Sequence, residues 1–121
     1  AVGTQVVFAP FNADVVGVFD TSTNRFSASV STGLVTMDEK FRGAAAVGTQ
    51  VVFAPCNADV VGVFDTSKNL FSTSPTGLAV SEKFWAVAAV QVVLAPYNAD
   101  AVGVFDASTS SFSAQVVFAP H

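Results

Sequence analysis

The decapeptide Ala-Val-Gly-Thr-Gln-Val-Val-Phe-Ala-Pro occurs twice in this chain, at residues 1–10 and 46–55, an offset of 45. The same offset carries residues 12–20 onto 57–65; a third copy runs over 91–106, offset by 41 from the second, and a fourth begins at 115–120. Repetition at this period means that one small supersecondary unit is built several times, and that neighbouring units must cover one another because none buries its apolar face alone. The units are 1–40, 41–83 and 84–114 with a partial fourth at 115–121, together one domain-sized segment of 121 residues.

Each unit divides into four short β-prone stretches separated by turn residues, the pattern of an antiparallel meander. In the second unit the strands are expected at 41–47, 50–54, 60–65 and 70–73. Gly48-Thr49 makes the first turn, residues 55–59 the second and 66–69 the third, and 74–77 open a longer link. Helices are disfavoured by the β-branched runs, by proline at every unit's second turn and by segments too short for three helical turns.

Val-Val-Phe-Ala and Val-Val-Gly-Val-Phe are apolar at successive positions, and successive side chains of a strand point to opposite faces. Each sheet is therefore apolar on both sides and must be sandwiched. Composition agrees, since only 12% of the residues are charged, about half the share of an ordinary soluble domain. Gly17, Gly62 and Gly103 stand mid-strand at equivalent places, where close approach of the next sheet is the simplest reason for a residue that weakens a strand.

A period above forty residues, four strands per period and two apolar faces per sheet point to an all-β fold, a partial β-propeller of about two and a half four-stranded meander blades. Residues 6–24, Val-Val-Phe-Ala-Pro-Phe-Asn-Ala-Asp-Val-Val-Gly-Val-Phe-Asp-Thr-Ser-Thr-Asn, resemble the YVTN-type propeller repeat and, more loosely, the kelch and NHL repeats. In that repeat a strand, an Asn-containing loop, a Val-rich strand ending in Asp and a Thr/Asn turn follow in this order, and here Phe8 and Pro10 replace its Tyr and Asn. A propeller closes with typically 4–8 blades, so further blades from a longer chain, or self-association, are expected. A start at Ala1 with the only Met at position 37 reads as a fragment or a processed piece.

The repeat breaks twice. The third unit reads Ala89-Val90-Gln91 where the others have Gly-Thr, so a strained hairpin or a longer continuous strand is expected there. Phe26 to Gln50 spans 24 residues but Phe112 to Gln115 only 3, so 21 are missing and residues 111–119 are expected to run as one strand.

The net charge of −4, with Arg25, Lys40, Arg42, Lys68 and Lys83 scattered, excludes a nucleic-acid surface, which needs clustered cations. The most apolar stretch, residues 84–97, is 14 long, short of the roughly 20 that a spanning helix requires, so no membrane span is expected.

Asn12/Asp14, Asn57/Asp59 and Asn98/Asp100 recur in one loop type and would gather as a rim of amides and carboxylates, which can hold a hard cation such as Ca²⁺. The same residues make such turns by bonding their own backbone, and this reading outweighs the cation. The links Asp38-Glu39-Lys40 and Glu82-Lys83 are expected on the same face as solvated edges, and Asp20, Asp65 and Asp106 to open tight turns at the opposite end. Cys56 shares its slot after Ala-Pro with Phe11, Tyr97 and His121, which reads as a tolerant surface or groove position. Trp85, in the place of Arg42, is expected to fill the core, with a ligand-lining spot as the alternative.

One Cys and one His assemble neither a nucleophile with its base, nor a zinc set, nor an internal disulfide. Acid/base pairs need two different environments, and every repeated Asp has near-identical copies. The first functional reading is a non-catalytic scaffold or binding module that takes no cofactor and presents the Asn-Ala-Asp rim to a protein or glycan. The second is a fragment of a propeller enzyme, such as a metal-dependent lactonase or hydrolase, with its active residues in other blades. The third, to which the YVTN resemblance lends weight, is a cell-surface or secreted adhesive repeat protein.

Overall fold

The regular elements of the described chain are all β-strands. They are β1 (Gln5–Phe8), β2 (Val15–Asp20) and β3 (Arg25–Ser31) in the first unit, and β4 (Phe41–Val47), β5 (Gln50–Pro55), β6 (Val60–Asp65) and β7 (Leu70–Pro75) in the second. The third unit holds β8 (Phe84–Ala88), β9 (Val93–Pro96), β10 (Ala101–Asp106) and β11 (Ser111–Val116). The structure, a computed structural model, describes residues 1–34, 37–88, 93–106, 109 and 111–116. Each unit makes one antiparallel meander in sequence order, three-stranded in the first unit and four-stranded in the other two.

In the second unit the observed strands follow the sequence pattern, with β5 reaching Pro55 and β7 Pro75. Register repeats between units: Gln5 pairs Asp20 and Phe8 pairs Gly17 in the first, as Gln50 pairs Asp65 and Phe53 pairs Gly62 in the second. The turns carry the residues that their backbone demands, with Gly3 and Gly48 at φ 56° and 60° and Asn24 and Asn69 at 56° and 54°, the left-handed region that Gly and Asn tolerate best. Residues 115 and 116, which open the fourth copy in sequence, continue β11 of the third sheet and pair with Val102 and Ala101. The hairpin at Ala89-Val90-Gln91 and the rest of the fourth copy, 117–121, lie outside the described residues.

Alternation along the strands builds two cores. Val51, Phe53 and Phe64 face one way with Phe41, and meet Val16 and Val18 of the first sheet. Val52, Ala54, Val61 and Val63 face the other way and meet Phe84, Leu94 and Phe105 of the third. The second sheet is thus covered on both sides, and each large side chain buried this way contributes about 1.5–3 kcal/mol. The outer sheets each keep one open face, marked by Phe8 and Phe26 on the first and Val93 on the third.

The mid-strand glycines answer to a different neighbour from the one expected. A Cβ on Gly62 would lie 2.9 Å from Phe71, 3.0 Å from Phe41 and 3.1 Å from Phe53, all in the same sheet; on Gly103 it would lie 2.8 Å from Phe112, 3.0 Å from Phe84 and 3.2 Å from Leu94. The glycine is a pit over which rings from the flanking strands fold, with Phe41, Phe53 and Phe71 centroids 5.8–6.4 Å apart. Gly62→Ala is expected to cost about 1–3 kcal/mol by overpacking the buried Phe41 and Phe53 and the half-buried Phe71. Gly17→Ala, whose Cβ meets exposed Phe26 at 3.0 Å and Phe8 at 3.6 Å, should cost less because Phe26 can swing outward. Urea unfolding of the two variants measures the difference.

Candidate functional site

The Asn-Ala-Asp loops join β1 to β2, β5 to β6 and β9 to β10, and the first two close around a lysine from the link that leads into the next sheet. Glu39 and Glu82, at φ 52° and 49°, turn the link just ahead of β4 and β8. Asn12 Oδ1 accepts the Glu39 N–H at 2.8 Å, and Asn57 Oδ1 accepts the Glu82 N–H at 2.9 Å. With the link pinned, Lys40 Nζ donates to Asn12 O at 3.1 Å and lies 3.6 Å from Asp14 Oδ1. Lys83 Nζ donates to Asn57 O at 3.2 Å and lies 3.4 Å from Asp59 Oδ1.

Both lysine side chains are buried, with 0% and 1% of their surface exposed. The links expected as solvated edges are therefore clasps between units. Their backbones extend the clasp: the Lys83 N–H donates to Cys56 O at 2.9 Å while Lys83 O accepts from the Tyr97 N–H at 2.8 Å. A buried ammonium loses several kcal/mol of hydration, which the loop carbonyl and carboxylate offset in part, and the apolar stem covers core surface. Sequence reasoning missed this because Asp-Glu-Lys reads as a solvated run; the available signal was that a lysine precedes the inner-strand phenylalanine at both 40/41 and 83/84.

In the third loop Asn98 Nδ2 donates to Ser81 O at 3.0 Å, but the sequence has no lysine beyond Lys83, and this loop, with Asp100, carries no such ammonium. Among the described residues no three His, Cys, Asp or Glu side chains converge as a metal set. The cation in the first two loops is the protein's own.

Beside the clasps runs a second constellation that sequence reasoning did not assemble. The Arg42 guanidinium lies 4.9 Å from the Phe11 ring centre and 4.8 Å from that of Trp85, and Trp85 stacks on Tyr97 at 4.0 Å and 14°. Arg42 and Trp85 follow Phe41 and Phe84 where the β4–β5 and β8–β9 registers shift, an irregularity that re-aims side chains. Trp85 is consequently 43% exposed and does not fill the core, while Tyr97 is 52% exposed. Cys56 is corrected in the opposite sense: it is wholly buried, not at a surface or groove. Burial pushes its thiol above the usual range, partly offset by the nearby Arg42 cation, so it stays protonated at neutral pH. Ala9, Phe11, Phe41 and Arg42 line a cleft of about 390 Å³. Arg42 Nε is buried without a hydrogen-bond partner among the described residues.

At the opposite end, Asp20 and Asp65 make the turns expected of them. Asp65 Oδ1 accepts from the Ser67 N–H at 2.9 Å and hydroxyl at 2.7 Å, as Asp20 Oδ1 does from Ser22 at 2.8 and 2.6 Å. These bonds hold both carboxyls below the usual carboxylate range. Most of the turn after Asp106 lies outside the described residues.

No protein-family model matches the chain, and no curated protein matches it significantly.

Lys83→Ala is expected to cost about 2–4 kcal/mol of unfolding free energy, mostly lost packing of the stem. Asp59→Asn should cost under about 1 kcal/mol, because that carboxylate is exposed and screened; chemical denaturation of both variants decides whether packing or charge dominates the clasp. A carboxyl with a depressed folded pKa stabilises above the unfolded carboxylate range, and that contribution disappears as pH falls through the folded value. Ser67→Ala should therefore raise the NMR titration midpoint of Asp65 and remove its share of the acid-side loss of stability.

Proposed function

We propose that this chain is a non-catalytic binding module, a segment of a β-propeller akin to the YVTN-type repeat proteins, which meets a protein or glycan partner at the loop end of its stacked sheets. Successive four-stranded meanders that are apolar on both faces and packed face to face support the propeller reading. The observation that carries the binding reading is the exposed Trp85–Tyr97 stack, extended by Arg42 and Phe11. It moves the contact surface away from the Asn-Ala-Asp rim, whose first two copies are engaged internally by Lys40 and Lys83.

Large rigid rings with a polar tip supply contact area at little entropic cost, and the outer face of Tyr97 suits the C–H face of a sugar ring or an apolar side chain. Arg42 adds donors at the rim of the adjoining cleft, where a hydroxyl or carbonyl acceptor would satisfy its buried Nε. No bond-making step is assigned to the site, since Cys56 is held protonated and Asp20 and Asp65 are committed to turns.

Trp85 is the single tryptophan of the chain, so its emission reports on the site directly. Titration with chitohexaose, cellohexaose and mannohexaose, and selection from a displayed peptide library, should yield a ligand that shifts this emission saturably. Tyr97→Ala should weaken it at least tenfold, which corresponds to about 1.4 kcal/mol. Flat emission across the sugars together with an empty peptide selection would overturn the reading.

A further inference from the structure

We infer that Arg42 is the recognition residue for a carboxylate, and that the ligand of the Trp85–Tyr97 surface is a glycan whose uronic acid units stand singly between neutral sugars. The inference rests on the binding reading above and narrows it to one ligand class.

Arg42 belongs to the middle unit and meets a ring from the unit on each side. Its guanidinium lies over the Phe11 ring of the first unit at 4.9 Å and over the Trp85 ring of the third at 4.8 Å. Cys56, in the same unit as Arg42, is wholly buried and close enough for the Arg42 charge to act on its thiol. These neighbours cover a guanidinium without meeting its donors, because an aromatic face and a thiol sulfur are both weak acceptors. Nε is accordingly buried with no hydrogen-bond partner among the described residues, and most buried donors in folded proteins do have one.

Charge points the same way. Lys40 and Lys83 are engaged in the clasps with Asp14 and Asp59, whereas Arg42 forms no ion pair among the described residues. A guanidinium holds its N–H groups in one plane as a fork. A carboxylate meets that fork with two parallel bonds, where a hydroxyl or a carbonyl oxygen offers a single acceptor atom. The ligand group that engages Nε together with a terminal nitrogen is therefore a carboxylate.

The surroundings decide how many carboxylates a ligand can bring. Glu39 and Glu82 stand at the turns ahead of β4 and β8, and both act on the Cys56 thiol alongside Arg42. One cation flanked by two carboxylates attracts one negative group and repels a run of them. A peptide rich in Asp and Glu, or a glycan charged at every unit, is thereby disfavoured. Next to Trp85 the exposed Tyr97 ring, stacked on it at 4.0 Å, supplies an apolar platform for the C–H face of the neutral sugar beside the charged one.

The probe is a hexasaccharide alternating glucuronate with N-acetylglucosamine, titrated as the acid and as its methyl ester at neutral pH. The full chain is used, with emission of its single tryptophan, Trp85, as the readout. The acid is expected to bind about tenfold more tightly than the ester, and Arg42→Gln to bring the two together. Should that variant fail to fold, the Nε–H resonance of Arg42, one of two arginines in the chain, decides in the unaltered protein. It should move with the acid and stay in place with the ester. Equal binding of acid and ester would overturn the inference while the ring-based reading stands, and so would a difference that survives Arg42→Gln or leaves the resonance unmoved. Binding of neutral sugars or of selected peptides, with no response to the hexasaccharide, would do the same. If none of these ligands binds, the inference and the binding reading fall together.

Discussion

Strands such as Val51-Val52-Phe53-Ala54 place apolar groups on both sides of a sheet, and water can be kept from both sides only by another sheet on each. The rest of the structure follows from this requirement. Val16 and Val18 of one unit receive Phe41, Phe53 and Phe64 of the next, and Val52, Ala54, Val61 and Val63 receive Phe84, Leu94 and Phe105. The contact has a direction, with a valine face of one sheet under an aromatic face of the following sheet. Glycine opposite the central phenylalanine makes that aromatic face smooth enough to stack, because the rings lie down over it instead of standing off.

The lysine clasps and the backbone hydrogen bonds beside them tie each sheet to the one before it. Lys40 and Lys83 each stand just ahead of the first strand of the next sheet and reach back into the preceding Asn-Ala-Asp loop, so ammonium, loop carbonyl and carboxylate hold one geometry per interface. A buried charge is a poor source of net stability, and a displaced arrangement would leave it unpaired. The Asn side chains serve the same end by accepting the N–H of the left-handed Glu39 and Glu82. The first two loops, which look like part of a ligand rim in sequence, are in this sense internal receptors for the chain itself.

The surface that the clasps do not use carries the exposed rings. Arg42 and Trp85 stand at the register shifts that follow the buried Phe41 and Phe84, and with Phe11 and Tyr97 they make a stack across all three units. The buried Cys56 stands in the slot that Phe11 and Tyr97 fill in the neighbouring units.

The strands, their order and the burial of both faces of the second sheet were legible in the sequence, because periodicity of two and turn residues act over a few neighbouring positions and each copy repeats the message. The turns opened by Asp20 and Asp65 were legible for the same local reason. The fate of Lys40 and Lys83, the exposure of Trp85 and the burial of Cys56 were not, since each depends on residues more than ten positions away that meet only when sheets stack. Local chemistry by itself determined what each unit is; the packing of unit on unit decided which polar groups are consumed inside and which rings face outward, because burial is a property of the whole assembly and not of any one segment.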